Sequence, residues 1–312
     1  MNDSYFDLQE ENLESSPEFK VDKKGNLSLY DIDLEGLIKK HGSPLRITYL
    51  PKITSQIKKA KSMFKKAFKK VDYKADYIYC YCTKSSHFSF VLDEVLKNDV
   101  HIETSSAYDI AIVQKLYEQQ KITKDKYIVC NGFKRPEYTK QIINLIQEGF
   151  SNVIPVLDNE NELKVYVKKI TTNTKIGIRI ATEEMPNFPF YTSRLGLNPN
   201  KILDFYNKQV KPLEHIQLKM LHFFINTGIK DHEYYWNELD KCLKLYVKLK
   251  KVCPTLDSLN IGGGLPFKTN LNFDYDYQDF IDKIIDYIKY ICDDEEIDVP
   301  NIFTEFGTFT VA

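Results

Sequence analysis

The chain has 312 residues, a net charge of −1 and 43% apolar residues, which suits one large or two ordinary globular domains of a soluble protein. The near-neutral charge argues against nucleic acid as the main partner, and the absence of a run of about 18 apolar residues argues against a transmembrane helix. The six cysteines form no CxxC pair, so we expect buried free thiols and no metal site.

The N-terminal part predicts an extension of short elements. Residues 1–19 are acidic and polar, lack a signal-peptide pattern and are expected to be loosely attached, which with the cysteines suggests a reducing cytoplasm. The stretch 18–34 predicts two strands around the turn KKGN, and a short helix should end near Gly42. The stretch LRITYL (45–50) predicts a further strand.

The basic stretch KKAKSMFKKAFKK (58–70) has Met63, Phe64 and Phe68 at helical spacing among its lysines. This pattern favours a helix with a solvated lysine face over a site for a polyanion.

From residue 75 onward, strand-like apolar runs alternate with helical patterns. The eight runs are 75–82, 100–105, 127–131, 152–158, 175–180, 216–225, 257–264 and 301–307. Strict alternation implies parallel strands with right-handed crossovers, so the fold class is α/β and the architecture a closed (β/α)8 TIM-like barrel. An open doubly wound sheet is the competing architecture, but no GxGxxG follows the first strand.

We therefore assign residues 1–45 to an N-terminal extension and residues 46–312 to the barrel. No helical pattern follows the eighth strand, where a closing helix is usual. We expect a chain truncated after the barrel.

Active sites of such barrels form at the carboxyl ends of the strands. The polar residues predicted there include Lys84, Glu103, Asn131, Asp158, Arg179, Thr182, His222, Asn226, Thr227, Asn260 and Glu305.

Lys84 follows an apolar strand directly. Partial desolvation would lower the pKa of its amine and make the neutral form available for Schiff-base chemistry. The competing interpretation is a lysine at the barrel rim that extends its ammonium group into water.

Gly262, Gly263 and Gly264 would let the backbone approach an anion and point its N–H groups at a phosphate, unless they serve only a tight turn. Glu305 could hold a protonated ring nitrogen or a substrate amine, or else pair with Arg179 or Arg194. A reactive lysine, a phosphate loop and a carboxylate for a pyridinium nitrogen are together what pyridoxal phosphate requires.

The ordered motifs YCYCTK, HIETSSAYDI, CNGFK, RIATEE, LHFFINTG, NIGGGLPF and TEFGTFTVA resemble the fold-type III pyridoxal-phosphate decarboxylases. These include ornithine, diaminopimelate and arginine decarboxylases, and CNGFK with SRLG (193–196) is most similar to the arginine enzymes. The resemblance runs from about residue 40 to the end. It implies an alanine-racemase-type barrel, a C-terminal β-domain that is missing here, and homodimers of the full-length protein that share active sites.

The resemblance also implies roles for individual residues. Catalysis would fall to Lys84 and Glu305, and cofactor binding to Lys84, Glu103, Arg179, Phe224, Thr227, Gly262, Gly263, Gly264 and Glu305. Three positions depart from the family pattern: Phe224 replaces a ring-stacking histidine, Thr308 a phosphate-binding arginine and Ser86 an asparagine. His222, two residues before Phe224, fits a core histidine better than a catalytic one.

The implied activity is the pyridoxal-phosphate-dependent decarboxylation of a basic amino acid, most simply L-arginine to agmatine in polyamine biosynthesis. Diaminopimelate, ornithine or carboxynorspermidine could instead be the substrate. Two further hypotheses are a catalytically inactive decarboxylase-like regulatory protein and a lysine aldolase without pyridoxal. Because the resemblance places substrate-binding groups outside these 312 residues, we expect weak or no turnover from them alone.

Overall fold

The protein is described by a computed structural model, which covers residues 18–182, 195–225, 232–266 and 274–311. The chain divides into two compact units, one of residues 1–49 with 267–276 and the other of residues 50–266 with 277–312. The predicted domain boundary at residues 45/46 stays a prediction.

The smaller unit contains a three-stranded antiparallel sheet of β1 (Phe19–Val21), β2 (Leu27–Leu29) and β3 (Ile32–Asp33). The turn between β1 and β2 is fixed by Asp22, whose Oδ1 accepts from the backbone N–H groups of Lys24 and Asn26. The two strands predicted around KKGN are therefore confirmed.

Helix α1 (Leu34–His41) begins at an Asp33 cap and ends at Gly42, whose φ of 84° only glycine adopts freely. The predicted helix end is confirmed, whereas the strand predicted for LRITYL is wrong. Residues 45–49 pair with no described strand, and Leu45 and Ile47 are exposed. Apolar alternation alone does not make a strand where no neighbouring strand offers hydrogen bonds.

The larger unit is built on eight parallel strands, which close into a barrel. They are β4 (Tyr77–Cys82), β5 (His101–Thr104), β6 (Ile128–Cys130), β7 (Val153–Leu157), β8 (Thr174–Arg179), β9 (Ile216–His222), β10 (Ser258–Asn260) and β11 (Asn301–Thr304). Pairing of β11 with β4 closes the ring, with Phe303 opposite Ile78. The predicted barrel is confirmed, and the open sheet is excluded.

Helices cover the outside of the barrel. They are α2 (Leu50–Lys70), α3 (Ser89–Leu96), α4 (Ala107–Glu118), α5 (Pro136–Gln147), α6 (Glu160–Lys169), α7 (Pro199–Phe205), α8 (His232–Lys250), α9 (Tyr277–Asp294) and the short α10 (Thr308–Val311). A π-helical turn, Tyr206–Val210, extends α7. No helix in the described ranges is long and apolar enough to cross a bilayer.

Helix α2 completes the ring of helices from the N-terminal side. It packs against α9, α10 and α3, and its Phe64 stacks on Tyr77 of β4 with ring centroids 4.0 Å apart. Its apolar face is buried while most of its lysines are exposed, which confirms the solvated lysine face. Helix α2 therefore lies among the outer helices although it precedes the first strand of the barrel.

Apolar side chains fill the barrel interior. The core cluster contains Ile78, Cys80, Val129, Ile154, Val156, Met220 and Phe303. All six cysteines are free and buried, as predicted. The packed interior leaves no room for a ligand, so a binding site is expected at the carboxyl ends of the strands, where polar groups converge.

Candidate active site

Five strands place polar side chains together at the carboxyl end of the barrel. Lys84 lies two residues beyond β4, and its Nζ is 3.4 Å from Oε1 of Glu103 on β5. Asn131 follows β6 directly, Asn260 ends β10, and Glu305 follows β11 directly. Parallel strands bring these positions to one end of the barrel although they are far apart in sequence.

Glu103 is a fully buried carboxyl group in this cluster. Its Oε1 accepts from Lys84 and, at 3.1 Å, from Asn131 Nδ2, whereas its Oε2 makes no hydrogen bond to any described residue. Burial raises the pKa of Glu103 to about 7, and the nearby Glu305 carboxylate acts in the same direction. Lys84 and Asn131 act in the opposite direction. Glu103 can therefore exchange a proton near neutral pH.

Glu305 is equally buried but differently surrounded. Its Oε1 accepts from Asn131 Nδ2 at 2.8 Å and from Asn260 Nδ2 at 2.6 Å, and its Oε2 lies 3.6 Å from His222 Nε2. Burial alone would raise the pKa of Glu305, but His222, Lys84 and Asn131 outweigh it and lower the pKa to about 2. The cluster therefore pairs a permanent carboxylate with a titratable one.

The expected low pKa of Lys84 is wrong for this structure. Burial does act to lower the pKa, but the charges of Glu103 and Glu305 outweigh it and raise the pKa above its usual range. The side chain is also 52% exposed, so water still reaches part of it, as expected for a lysine at the barrel rim.

The three glycines form a tight loop bonded to the Glu305 segment. Gly262 and Gly264 have φ of 68° and 90°, which favour glycine. A Cβ on Gly263 would overlap the backbone oxygen of Glu305. The Gly262 N–H donates to Asn260 Oδ1 at 2.8 Å, and the Gly262 carbonyl accepts from the Glu305 N–H at 2.8 Å. The tight turn is present, and phosphate binding by the loop stays a prediction.

Arg179 and Phe224 lie next to each other near this loop. The guanidinium carbon of Arg179 is 5.3 Å from the centre of the Phe224 ring, a cation–π arrangement. A Cβ on Gly262 would fall against the Phe224 ring, so Phe224 borders the glycine loop. Thr227 and Arg194 lie outside the described residues.

Sequence reasoning placed Asn131 and Asn260 at strand ends but gave them no role. The structure shows that Asn131 bridges both carboxylates and that Asn260 links Glu305 to the glycine loop. His222, interpreted as a core residue, is 1% exposed and also faces Glu305. The available signal was the position of all three at or directly after the carboxyl ends of strands.

A metal ion is one ligand to consider for the cluster, since ligand atoms of Cys82, Glu103 and Glu305 all lie within 4.8 Å of one another. The Lys84 ammonium group at Glu103 opposes a cation there. The donor set fits pyridoxal phosphate better. It offers an amine for the aldehyde, a permanent carboxylate for a ring nitrogen and a glycine loop for the phosphate. Glu103 Oε2 and both ring nitrogens of His222 are buried and bond to no described residue, so they remain available to a ligand.

Comparison with known proteins agrees with this fit. A family model described as the pyridoxal-binding domain of pyridoxal-dependent decarboxylases matches residues 54–312. The biosynthetic arginine decarboxylase of Citrifermentans bemidjiense is 25% identical over 329 aligned residues, covering 94% of this chain and 50% of that protein. The chain thus spans about half the length of this relative.

Two solved structures share the fold. The biosynthetic arginine decarboxylase of Campylobacter jejuni superposes with a TM-score of 0.75 at 20% identity, covering 96% of this chain and 52% of that one. A diaminopimelate decarboxylase of M. jannaschii in complex with L-lysine gives a TM-score of 0.78 at 20% identity, covering 96% of this chain and 68% of that one. The chain belongs to the pyridoxal-dependent decarboxylase family, and its residues 54–312 match the family's pyridoxal-binding domain.

Proposed function

We propose that the protein decarboxylates a basic amino acid with pyridoxal phosphate, most simply L-arginine to agmatine. The observation that carries the proposal is the convergence of Lys84, Glu103 and Glu305 at one end of the barrel, beside the glycine loop. The choice of arginine is supported by the names of relatives at about 25% identity.

Each proposed role follows from the environment of the residue. Pyridoxal phosphate, when bound, accepts the electron pair that remains as the carboxylate leaves as carbon dioxide. The Lys84 amine would hold the cofactor aldehyde, and Glu103 would take or return a proton at Lys84 Nζ. Glu305, with its low pKa, would hold a proton on the ring nitrogen. The backbone of Gly262–Gly264 would bind the phosphate, with Arg179 and Thr227 as further cofactor contacts.

A second candidate, a catalytically inactive regulatory protein, is favoured by Phe224. A phenyl ring can stack on a cofactor but cannot transfer protons, and here it also stacks on Arg179. Turnover decides between the two candidates.

The test begins with reconstitution of the purified protein with pyridoxal phosphate. We expect a yellow protein in which borohydride attaches the cofactor to Lys84, and no such attachment in Lys84→Ala. Carbon dioxide release is then measured on the full-length protein, because weak or no turnover is expected from these 312 residues alone, with arginine, ornithine, lysine, diaminopimelate and carboxynorspermidine. Release from arginine above the others supports the proposal. Cofactor binding without release from any of them supports the regulatory candidate.

We further propose that residues 46–312 form the cofactor-binding domain of a cytoplasmic protein that is a homodimer when full length. Six free buried thiols are consistent with a reducing compartment. Sedimentation equilibrium of the full-length protein at micromolar concentration should give twice the mass of one subunit, and a mass of one subunit would contradict the dimer.

A further inference from the structure

His222 is a buried polar residue that the proposed mechanism does not use. It ends β9, in register with Arg179 on β8 and with Asn260 on β10, and is 1% exposed. Neither ring nitrogen makes a hydrogen bond within the described part of the chain, and Nε2 lies 3.6 Å from Glu305 Oε2. Buried polar groups without hydrogen-bond partners are rare because they lose their hydration without replacement, so this one requires an explanation.

The two oxygens of Glu305 are held unequally. Oε1 accepts from two amides, Asn131 at 2.8 Å and Asn260 at 2.6 Å, which together saturate it. Oε2 lies 3.6 Å from His222 Nε2, which is longer than a hydrogen bond. Oε2 is therefore the oxygen that can still accept a hydrogen bond from a ligand. His222 is therefore placed at the functional oxygen of Glu305.

The backbone around this pair is fixed on both sides. The Glu305 N–H donates to Gly262 O at 2.8 Å, and the Phe223 N–H donates to Asn260 O at 2.8 Å. Glu305 can thus change its direction mainly by rotating its own side chain. The two amides fix one oxygen, and a group at the other oxygen decides that rotation.

We propose that His222 is a positioning residue that holds Glu305 Oε2 toward the ring nitrogen of the cofactor, while Asn131 and Asn260 hold Oε1. This inference rests on the proposed function, because it assumes pyridoxal phosphate as the ligand.

The test compares His222→Leu and His222→Gln with the wild-type protein. Affinity and absorbance of bound pyridoxal phosphate are measured by spectral titration. We expect about a tenfold weaker affinity and a changed absorbance spectrum in His222→Leu, because Glu305 Oε2 loses the polar group that lies 3.6 Å from it. Glutamine keeps a donor and should stay within about threefold of wild type. His41→Leu, at an exposed histidine that ends α1, serves as the control.

The outcomes separate the two proposals. If wild-type protein binds no pyridoxal phosphate, the proposed function fails. If wild type binds and His222→Leu matches it in affinity and spectrum, this inference alone fails. Should His222→Leu not fold, the imidazole ¹⁵N shifts of His222 in the cofactor-free protein decide. They should move in Glu305→Gln, and unchanged shifts would overturn the inference.

Discussion

Two buried carboxyl groups at one end of the barrel have opposite protonation behaviour because their partners differ. Glu103 is bonded to one amide and a half-exposed lysine, so burial dominates and its pKa rises to about 7. Glu305 has two amides and the His222 imidazole, so its pKa falls to about 2. Pairs of titratable groups pushed apart in this way are typical of acid–base sites.

The raised pKa of Glu103 predicts a specific dependence of stability on pH. Between its unfolded pKa of 4.5 and its folded pKa of about 7, the folded protein binds more protons at Glu103 than the unfolded chain. The contribution of Glu103 to stability is therefore largest below pH 4.5 and is lost as the pH rises to about 7. The free energy of unfolding of Glu103→Gln, relative to that of the wild type, should therefore be higher at pH 8 than at pH 5 by roughly 1–3 kcal/mol.

Urea unfolding of the cofactor-free proteins at the two pH values measures this difference. Glu118→Gln, at an exposed residue that ends α4, is the matched control and should show no pH-dependent gain over wild type. An equal difference between Glu103→Gln and wild type at both pH values would refute the assignment.

At the scale of the elements, the loop after β10 packs directly against the segment after β11. Gly263 has no room for a Cβ because the Glu305 carbonyl lies against it. Gly307, two residues after Glu305, likewise has no room for a Cβ, because the side chain of Ser85 lies against it. Ser85 is the residue next to Lys84. Small residues at these contacts bring the lysine, the carboxylate and the glycine loop together.

Gly263→Ala should therefore displace Glu305 as well as the loop itself. We expect at least about a tenfold loss of pyridoxal phosphate affinity, because both the proposed phosphate contact and the proposed ring-nitrogen contact move. The affinity is measured by spectral titration, and a near-ultraviolet circular dichroism spectrum checks that the fold persists. Pro266→Ala, in the same loop, is the control. Wild-type affinity in Gly263→Ala would show that the two segments are not coupled.

At the scale of the whole molecule, the alternation of strands and helices was sufficient to predict the barrel. The same reasoning grouped Lys84, Glu103 and Glu305, since parallel strands end together. It could not predict the Asn131 bridge, because which oxygen an amide faces depends on side-chain geometry across the barrel. The direction in which the pKa of Lys84 shifts could not be predicted either, because burial lowers this pKa while two nearby carboxylates raise it.

The neighbours of α2 could not be predicted for a different reason. The lysine-rich stretch predicted a helix, but only the structure shows that this helix packs against α9, α10 and α3. Amphipathic spacing identifies a helix face, but it does not say which gap between neighbouring helices that face fills.

If α2 closes the ring of helices, its contact with β4 should contribute to the stability of the whole barrel. Phe64 is fully buried and stacks on Tyr77, so Phe64→Ala should lower the free energy of unfolding by about 3–5 kcal/mol. The control is Phe68→Ala on the same helix, whose half-buried ring should cost clearly less. Urea unfolding followed by far-ultraviolet circular dichroism measures both. A loss at Phe64 no larger than at Phe68 would mean that α2 covers the barrel without stabilising it.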